Sequence, residues 1–398
     1  MKTILHKFLS VFRTLGEVYA REFRTIRRDQ GVVLFFLFLP LAYPVIYSLI
    51  YNRELVRDVP MVVVDHDRTQ QSRDLVRRMD AAQGARLAGY AADLAEGRRA
   101  INEREAYAIM EIPEGFGRKI GRGEQASAQL YCETSLLLRY RSLLFSATEV
   151  ALSMGADIQS SDIGSLGMAG LASGDPMPVV DGELGNLQSG FDSFIMPGVL
   201  ILILQQCIVL AVGMMGGGRN ERALKGLYTP ASGSTLLTMT GRAGCYITIL
   251  ALPVIWLTHY VPVVFQFPMA GDTLEIFAFL LPLVLACIAL GFIVQLFTSE
   301  REAIFLVWVA TSVAFLFLSG LTWPRYAMAP VWKLASDIIP ATWGINGFIL
   351  MNANGASLAD IGPYYRNLWI LAGVYWLLAW IIQKYMLRVR LRREASRP

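Results

Sequence analysis

Long apolar runs separated by polar stretches set the organisation of this chain. A membrane-crossing helix needs roughly 20 apolar residues, and six segments meet or approach that length. They are Gly31 to Tyr51, about Phe191 to Met215, about Ala243 to Phe267, about Leu274 to Phe297, the shorter Ala303 to Leu321, and about Asn367 to Gln383. Pro253 and Pro262 predict kinks in the third run, because proline removes a helix hydrogen bond. Ile338 to Leu350 is too short to cross, so the stretch 322–351 reads as a re-entrant or interfacial segment before the last span.

The polar stretches have patterns of their own. In the arm 1–30, Leu9, Phe12, Gly16, Tyr19, Phe23 and Ile26 recur near helical spacing with basic residues between them. This predicts an amphipathic helix on the membrane surface. Residues 52–190 read as a soluble α/β domain. Its predicted strands are Met61 to Val64, Ala106 to Ile112 and Ala128 to Tyr131, and its helices are Ser72 to Ala81, a short one opened by Pro113, and Ser135 to about Ala156. Ser161 to Asn186, rich in Gly and polar residues, reads as a flexible return to the membrane. The expected fold is an α-helical polytopic membrane protein of six spans with an inserted α/β domain and a re-entrant segment.

Composition agrees with this division. The 398 residues are 54% hydrophobic and 17% charged, against about 25% charged in soluble domains. The net charge of +4 is modest, and the basic clusters flank apolar runs, which excludes a nucleic-acid-binding face. Lys and Arg concentrate in the N-terminal arm, in the segment of Arg219, Arg222 and Lys225, and in the tail after Lys384. With six spans these fall on one side, so both termini are expected in the cytoplasm and 52–190 outside it. The run Gly31 to Tyr51 has no small-residue cleavage site behind it and reads as an uncleaved first span.

Catalytic chemistry is poorly supported. Asp65, His66 and Asp67 stand at a strand end, where Asp makes turns. Cys132, Cys207, Cys245 and Cys287 lack metal or disulfide spacing. His259 stands alone at the end of the third run. No Gly-x-x-x-x-Gly-Lys-Ser/Thr loop exists, so no P-loop ATPase lies within these residues. Ionisable residues within spans mark ion pathways, yet Asp192, Arg242, Glu275 and Glu300 all sit at edges. Energy for any pumping is therefore expected from outside the membrane sector. Uncharged polar residues do align. Trp308, Thr311, Ser312, Phe315 and Ser319 form one helical stripe, and Gln205 and Gln206 lie at mid-depth in the second run. Such a stripe suits an amphiphilic or apolar substrate, or packing between helices.

Several segments in this order resemble one family. They are Arg21 to Asp29, VVVDHDRTQQSRDLVRRMDA from Val62, IMEIPEGFGRKI from Ile109, FIMPGVLILIL from Phe194, and LFLSGLTWPRYAMAPVWKLASDIIPATWGING from Leu316. The chain resembles the membrane subunits of ABC exporters of the ABC-2 type that carry a large extracytoplasmic domain between the first two spans. One segment departs from that pattern. The family's charged run Arg-Glu-Lys-Glu-Arg-Gly-Thr is here Gly216 to Gly226, which keeps Glu221 and Arg222 but lacks the preceding acid.

The resemblance implies a homodimer or heterodimer of permeases in a bacterial inner membrane, over separate cytosolic P-loop ATPases that hold the ATP and Mg. This chain would bind no cofactor and no metal and carry no catalytic residue. Membrane lipid is an expected partner, a periplasmic membrane-fusion adaptor a further one, and nucleic acid none. The implied ATPase-coupling surface is Arg24, Arg27, Arg28, Arg219, Glu221, Arg222, Lys225, Glu300, Arg301 and Glu302. The implied substrate path is Gln205, Gln206, Trp308, Thr311, Ser312 and Phe315. The alternative is a membrane-anchored sensor or scaffold whose outer domain binds an envelope partner.

Overall fold

A computed structural model describes residues 2–51, 56–165, 191–224, 234–267, 269–298 and 301–395. The chain divides into two compact units, 53–182 and the remainder. The predicted linker from residue 166 onward, together with Lys225 and Glu300, lies outside the described residues.

The remainder opens with the arm helix α1 (Lys2–Arg28), which carries basic Arg27 and Arg28 in its last turn, where they favour the helix dipole. From residue 10 onward its buried positions are Val18, Glu22 and Ile26, one face at intervals of four, while Phe12 and Phe23 are exposed. Asp29 then caps α2 (Gln30–Val33) by accepting from the Val32 amide. A π-helical turn, Leu34–Phe38, leads into α3 (Leu39–Tyr51).

In the inserted unit, β1 (Val59–Asp65) is central and wholly apolar before its last residue, so it is buried on both sides. The helix α4 (Gln70–Ala81) connects it to a parallel neighbour, β2 (Ala85–Tyr90). The helix α5 (Leu94–Asn102) leads to β3 (Ala108–Ile112), parallel on the other flank with Met61 opposite Ala108. The short α6 (Phe116–Ile120) precedes β4 (Gln129–Cys132), antiparallel to β3 at the edge, and α7 (Leu137–Ser165) follows. The order is β2-β1-β3-β4. Met61 and Val63 pack on one face with Leu75, Val76, Met79, Leu143 and Val150; Val62 and Val64 pack on the other near Leu94 and Ile101.

Three sequence expectations need correction here. The strand β2 and helix α5 were not predicted, because ARLAGY carries little β-branched signal and the Gly97 and Arg98-Arg99 run masks a helical face. Pro113 does not open α6; the helix starts at Phe116 behind Gly115, whose left-handed φ of 81° suits glycine. The helix α7 also runs to Ser165, into the stretch expected to be flexible.

The other helices of the membrane unit are α8 (Phe191–Leu224), α9 (Thr235–Ile255), a π turn at Trp256–Tyr260, α10 (Val261–Phe265), α11 (Thr273–Phe297), α12 (Ala303–Leu318), α13 (Pro330–Asp337), α14 (Pro340–Asn354) and α15 (Gly362–Ala395). Among the described residues five helical segments are long and apolar enough to cross a bilayer, or six if the bent pair 330–337 and 340–354 is one span. The helix α12 is apolar, but its 16 residues rise only about 24 Å, short of a hydrocarbon core of about 30 Å. The re-entrant expectation corresponds to α13 and α14, which meet at a bend of 88°. Pro340 and the extended Ile339 before it break the helix there. The π turn at Trp256–Tyr260 follows Pro253, and the Trp256 indole donates to the Leu41 carbonyl of α3 at 3.0 Å. The core of this unit runs from Ile26 and Phe36 through α8, α9 and α11 to α14.

Candidate functional site: an ion cluster at the arm

The segment after the second span, expected to be a loop, is helix as far as Leu224. It remains helical because its polar groups have partners. Arg219 is buried at 8% exposure. Its Nη1 donates to Glu22 Oε1 at 2.5 Å and its Nη2 to Gln295 Oε1 at 2.9 Å. The Tyr246 hydroxyl donates to the same Glu22 oxygen. Arg242 Nε lies 3.8 Å from the other oxygen of Glu22. One carboxylate on α1 therefore gathers groups from α8 and α9, and Arg219 extends the cluster to α11.

Burial pushes the Glu22 carboxyl up, but the charges of Arg219 and Arg242 and the hydrogen bonds from Tyr246 and Arg219 outweigh it, so its pKa falls below the ordinary value. Glu22 is accordingly ionised, and it offsets the buried guanidinium of Arg219 and the partly buried one of Arg242. Two glycines allow the close approach. A Cβ on Gly216 would lie 2.1 Å from Gln295 Oε1, and one on Gly241 would lie 3.0 Å from Val18 Cβ on the arm.

A second set of bonds lies beside it. Asn220 donates to the carbonyls of Gln295 at 3.2 Å and Thr298 at 3.1 Å, satisfying the open end of α11. Glu221 Oε1 accepts from the Arg301 amide at 2.8 Å, and the Arg301 guanidinium pairs with Asp29, the cap of α2. Arg219, Glu221 and Arg301, expected as contact residues for a partner, are thus engaged within the chain. Arg24, Arg27, Arg28, Arg222 and Glu302 are exposed. Glu22, Asp29, Tyr246 and Gln295 were not anticipated. The available signal was one acid, Glu22, set between Val18 and Ile26 on the inner face of a basic arm.

The expected substrate-path residues separate. Gln205 is fully buried, and its Oε1 accepts from the Ala341 amide at 2.7 Å. It therefore caps the first turn of α14, whose leading N–H groups lack helical acceptors. Cys287 Sγ is 4.0 Å away. Gln206 is buried on a neighbouring face of α8. Trp308 and Phe315 are partly buried and pack against the same core. Thr311 turns its hydroxyl back onto the Val307 carbonyl at 2.7 Å, and Ser312 is half-buried.

The long family-like stretch from Leu316 folds as a fastening around the bend. Arg325 pairs with Asp337 and lies 4.7 Å over the Trp343 ring, while the Trp343 indole donates to the Asp337 carbonyl at 2.8 Å. Asn346 donates to the Ser319 carbonyl at 2.9 Å.

In the inserted unit the Asp65-His66-Asp67 run is a turn. Asp65 accepts from the Asp67 amide at 3.0 Å and from the Arg68 amide at 2.9 Å. Asp67 accepts from the Gly115 and Gly117 amides, both at 2.8 Å, and from Thr69 Oγ1. Both carboxylates are committed to holding α4 and α6 at the end of β1. Among the described residues no group of three or more His, Cys, Asp or Glu is placed to hold a metal, and all four cysteines are free.

No curated protein matches the chain. The model of the ABC-2 family transporter proteins matches residues 31–381. That span includes every helix from the first membrane run to the last, so this chain belongs to the ABC-2 transporter family and is a multi-pass membrane permease.

Proposed function

We propose that the chain is the permease subunit of an exporter, driven by a separate cytosolic P-loop ATPase, with both termini in the cytoplasm of a bacterial inner membrane and residues 52–190 outside it. It works as one half of a permease dimer and moves an amphiphilic or apolar substrate. The observation that carries this reading is the Glu22 cluster. A subunit without its own ATPase must receive force at its surface and deliver it to its spans. Glu22 joins the arm directly to α8 and α9 and, through Arg219, to α11. A push on the arm therefore reaches three spans through charged bonds rather than through apolar contact alone.

The docking surface is the exposed set Arg24, Arg27, Arg28, Arg222 and Glu302. Opposite charges at such a rim suit reversible docking. The inner set Glu22, Arg219 and Arg242 is the linkage behind it. The two sets predict different defects. Charge reversal of Arg24, Arg27 and Arg28 together weakens recovery of the ATPase with the chain, whereas Glu22→Ala leaves recovery intact and uncouples ATP hydrolysis from export. Measuring both co-purification and export in each variant tests the division. Full export after the triple reversal rejects the arm as the docking surface.

A further inference from the structure

The helix α7 is apolar on two sides. Its inner side is fixed: Leu143, Val150 and Met154 pack on the sheet, and Ser146 accepts from the Gly84 amide at 3.1 Å. Arg78 of α4 pairs with Asp157 further along the helix, at 2.7 Å. The opposite side carries Leu137, Leu144, Phe145 and Leu152, which are 72%, 44%, 61% and 70% exposed. A helix of a globular unit ordinarily shows one apolar stripe toward its core and a polar face toward water. A second stripe marks a surface that another body covers. Arg141 and Thr148 share this stripe. Thr148 turns its hydroxyl back onto the Leu144 carbonyl at 2.8 Å, so it can enter an apolar seam with its hydrogen bond already made.

The order of residue types along the stripe identifies its occupant. Two copies set antiparallel, with a two-fold axis between Leu144 and Phe145, place Leu137 opposite Leu152, Leu144 opposite Phe145 and Arg141 opposite Thr148. Each apolar residue then meets an apolar one. Arg141 also falls beside Glu149 of the second copy, and symmetry makes that opposite-charge contact twice. A parallel pair would instead set Arg141 against Arg141. A face built for an unrelated protein has no need of this self-match. We propose that α7 is a self-pairing surface, through which the inserted units of two copies of this chain meet as antiparallel helices. Four apolar side chains per copy fall short of the roughly 1,200 Å² of a stable interface. The contact therefore rests on the permease-dimer reading for the other contacts that hold the pair, and it makes that pair a homodimer.

The test is crosslinking of the full chain in its native membrane with a short bismaleimide, read on denaturing gels and by mass spectrometry. The background is Cys132→Ser, since the other three cysteines are buried. Leu144→Cys lies beside the two-fold axis and should crosslink to a second copy of itself. Leu137→Cys or Leu152→Cys alone should do so at least fivefold less, because like positions then lie about 22 Å apart along the helix axes. Carrying both substitutions in one chain should restore the yield of Leu144→Cys. The positions substituted on α7 are all exposed, so the variants should still fold and insert. Equal yields from the three single variants, no dimer from Leu144→Cys, or its capture of a different protein in place of a second copy overturns the proposal. Recovery of the ATPase without any crosslink through α7 keeps the permease reading and rejects this surface. The predicted crosslinks without an ATPase keep the surface and reject the permease reading.

Discussion

Glu22→Ala removes the carboxylate that buried Arg219 shares with partly buried Arg242. Arg219 keeps its bond to Gln295, at 2.9 Å, but loses its ionic partner, and Arg242 loses the charge 3.8 Å away. Removing one member of a buried ion pair typically costs about 3–5 kcal/mol. At tenfold per 1.4 kcal/mol, that is about two to three and a half powers of ten in the equilibrium between docked and undocked arm. The lower end applies here, because Arg219 keeps its hydrogen bond to Gln295. Val18 and Ile26 still pack, so the arm loosens rather than unfolding the spans. The assay is hydrogen exchange of residues 10–28 in nanodiscs, read by mass spectrometry. The variant should exchange about a hundredfold faster in α1 while α11 and α14 keep wild-type protection. Glu22→Leu with Arg219→Met should recover much of the protection, since apolar replacement of a buried pair is often neutral. Because the Glu22 pKa is lowered on folding, its contribution is present above the unfolded carboxylate value and is lost as pH falls through the lower folded value. Docking should thus be insensitive to pH from neutral down to the ordinary carboxylate range. Unchanged exchange in Glu22→Ala would refute the linkage.

Other expectations follow from single contacts. Gly216→Ala drives a methyl against Gln295, 2.1 Å from its Oε1, and should destabilise by about 1–3 kcal/mol, seen as a lower melting temperature. Gln205→Leu strands the Ala341 amide and should cost about 1–3 kcal/mol, with faster exchange confined to the first turn of α14. Thr69→Ala removes both the cap of α4 and a donor to Asp67, and should weaken α4 by about 1 kcal/mol, measured as faster exchange over residues 70–75. The Asp67 carboxyl is held below its usual value: burial raises it, but Thr69 and the Gly115–Gly117 amides prevail. Its turn should therefore persist above the unfolded Asp value and open only as pH falls through the lower folded value, followed by amide signals of Gly115 and Gly117.

The apolar runs and the β-branched core strand were legible because each is a local pattern with a single physical meaning. Gly31 to Tyr51 has one environment available to it, and Met61 to Val64 can lie only inside a sheet. The strand β2 was not legible because its residues lie half-exposed and depend on pairing with β1. The arm's helix could be read from spacing, but its inner face could not. Of the expected apolar face, Ile26 is buried and Tyr19 packs against the core, but Phe12 and Phe23 are exposed, and Val18 and Glu22 take the other inner positions. That choice depends on Gly241 and on charges at positions 219 and 242, hundreds of residues away in the chain. For the same reason Arg219 read as a surface cation, and Gln205 as a pathway residue rather than the cap of a helix 136 positions later. Spacing reports which side of an element is apolar; it does not report which distant polar group will be buried against it.

The most direct test of the central claim is to recover the full-length protein, tagged at its chromosomal locus, from native membranes in mild detergent and to identify what co-purifies by quantitative mass spectrometry. A P-loop ATPase in stoichiometric amount, lost on charge reversal of Arg24, Arg27 and Arg28 but retained in Glu22→Ala, is the predicted result. Recovery of the chain with no ATPase, at native expression and after crosslinking in the membrane, would contradict it.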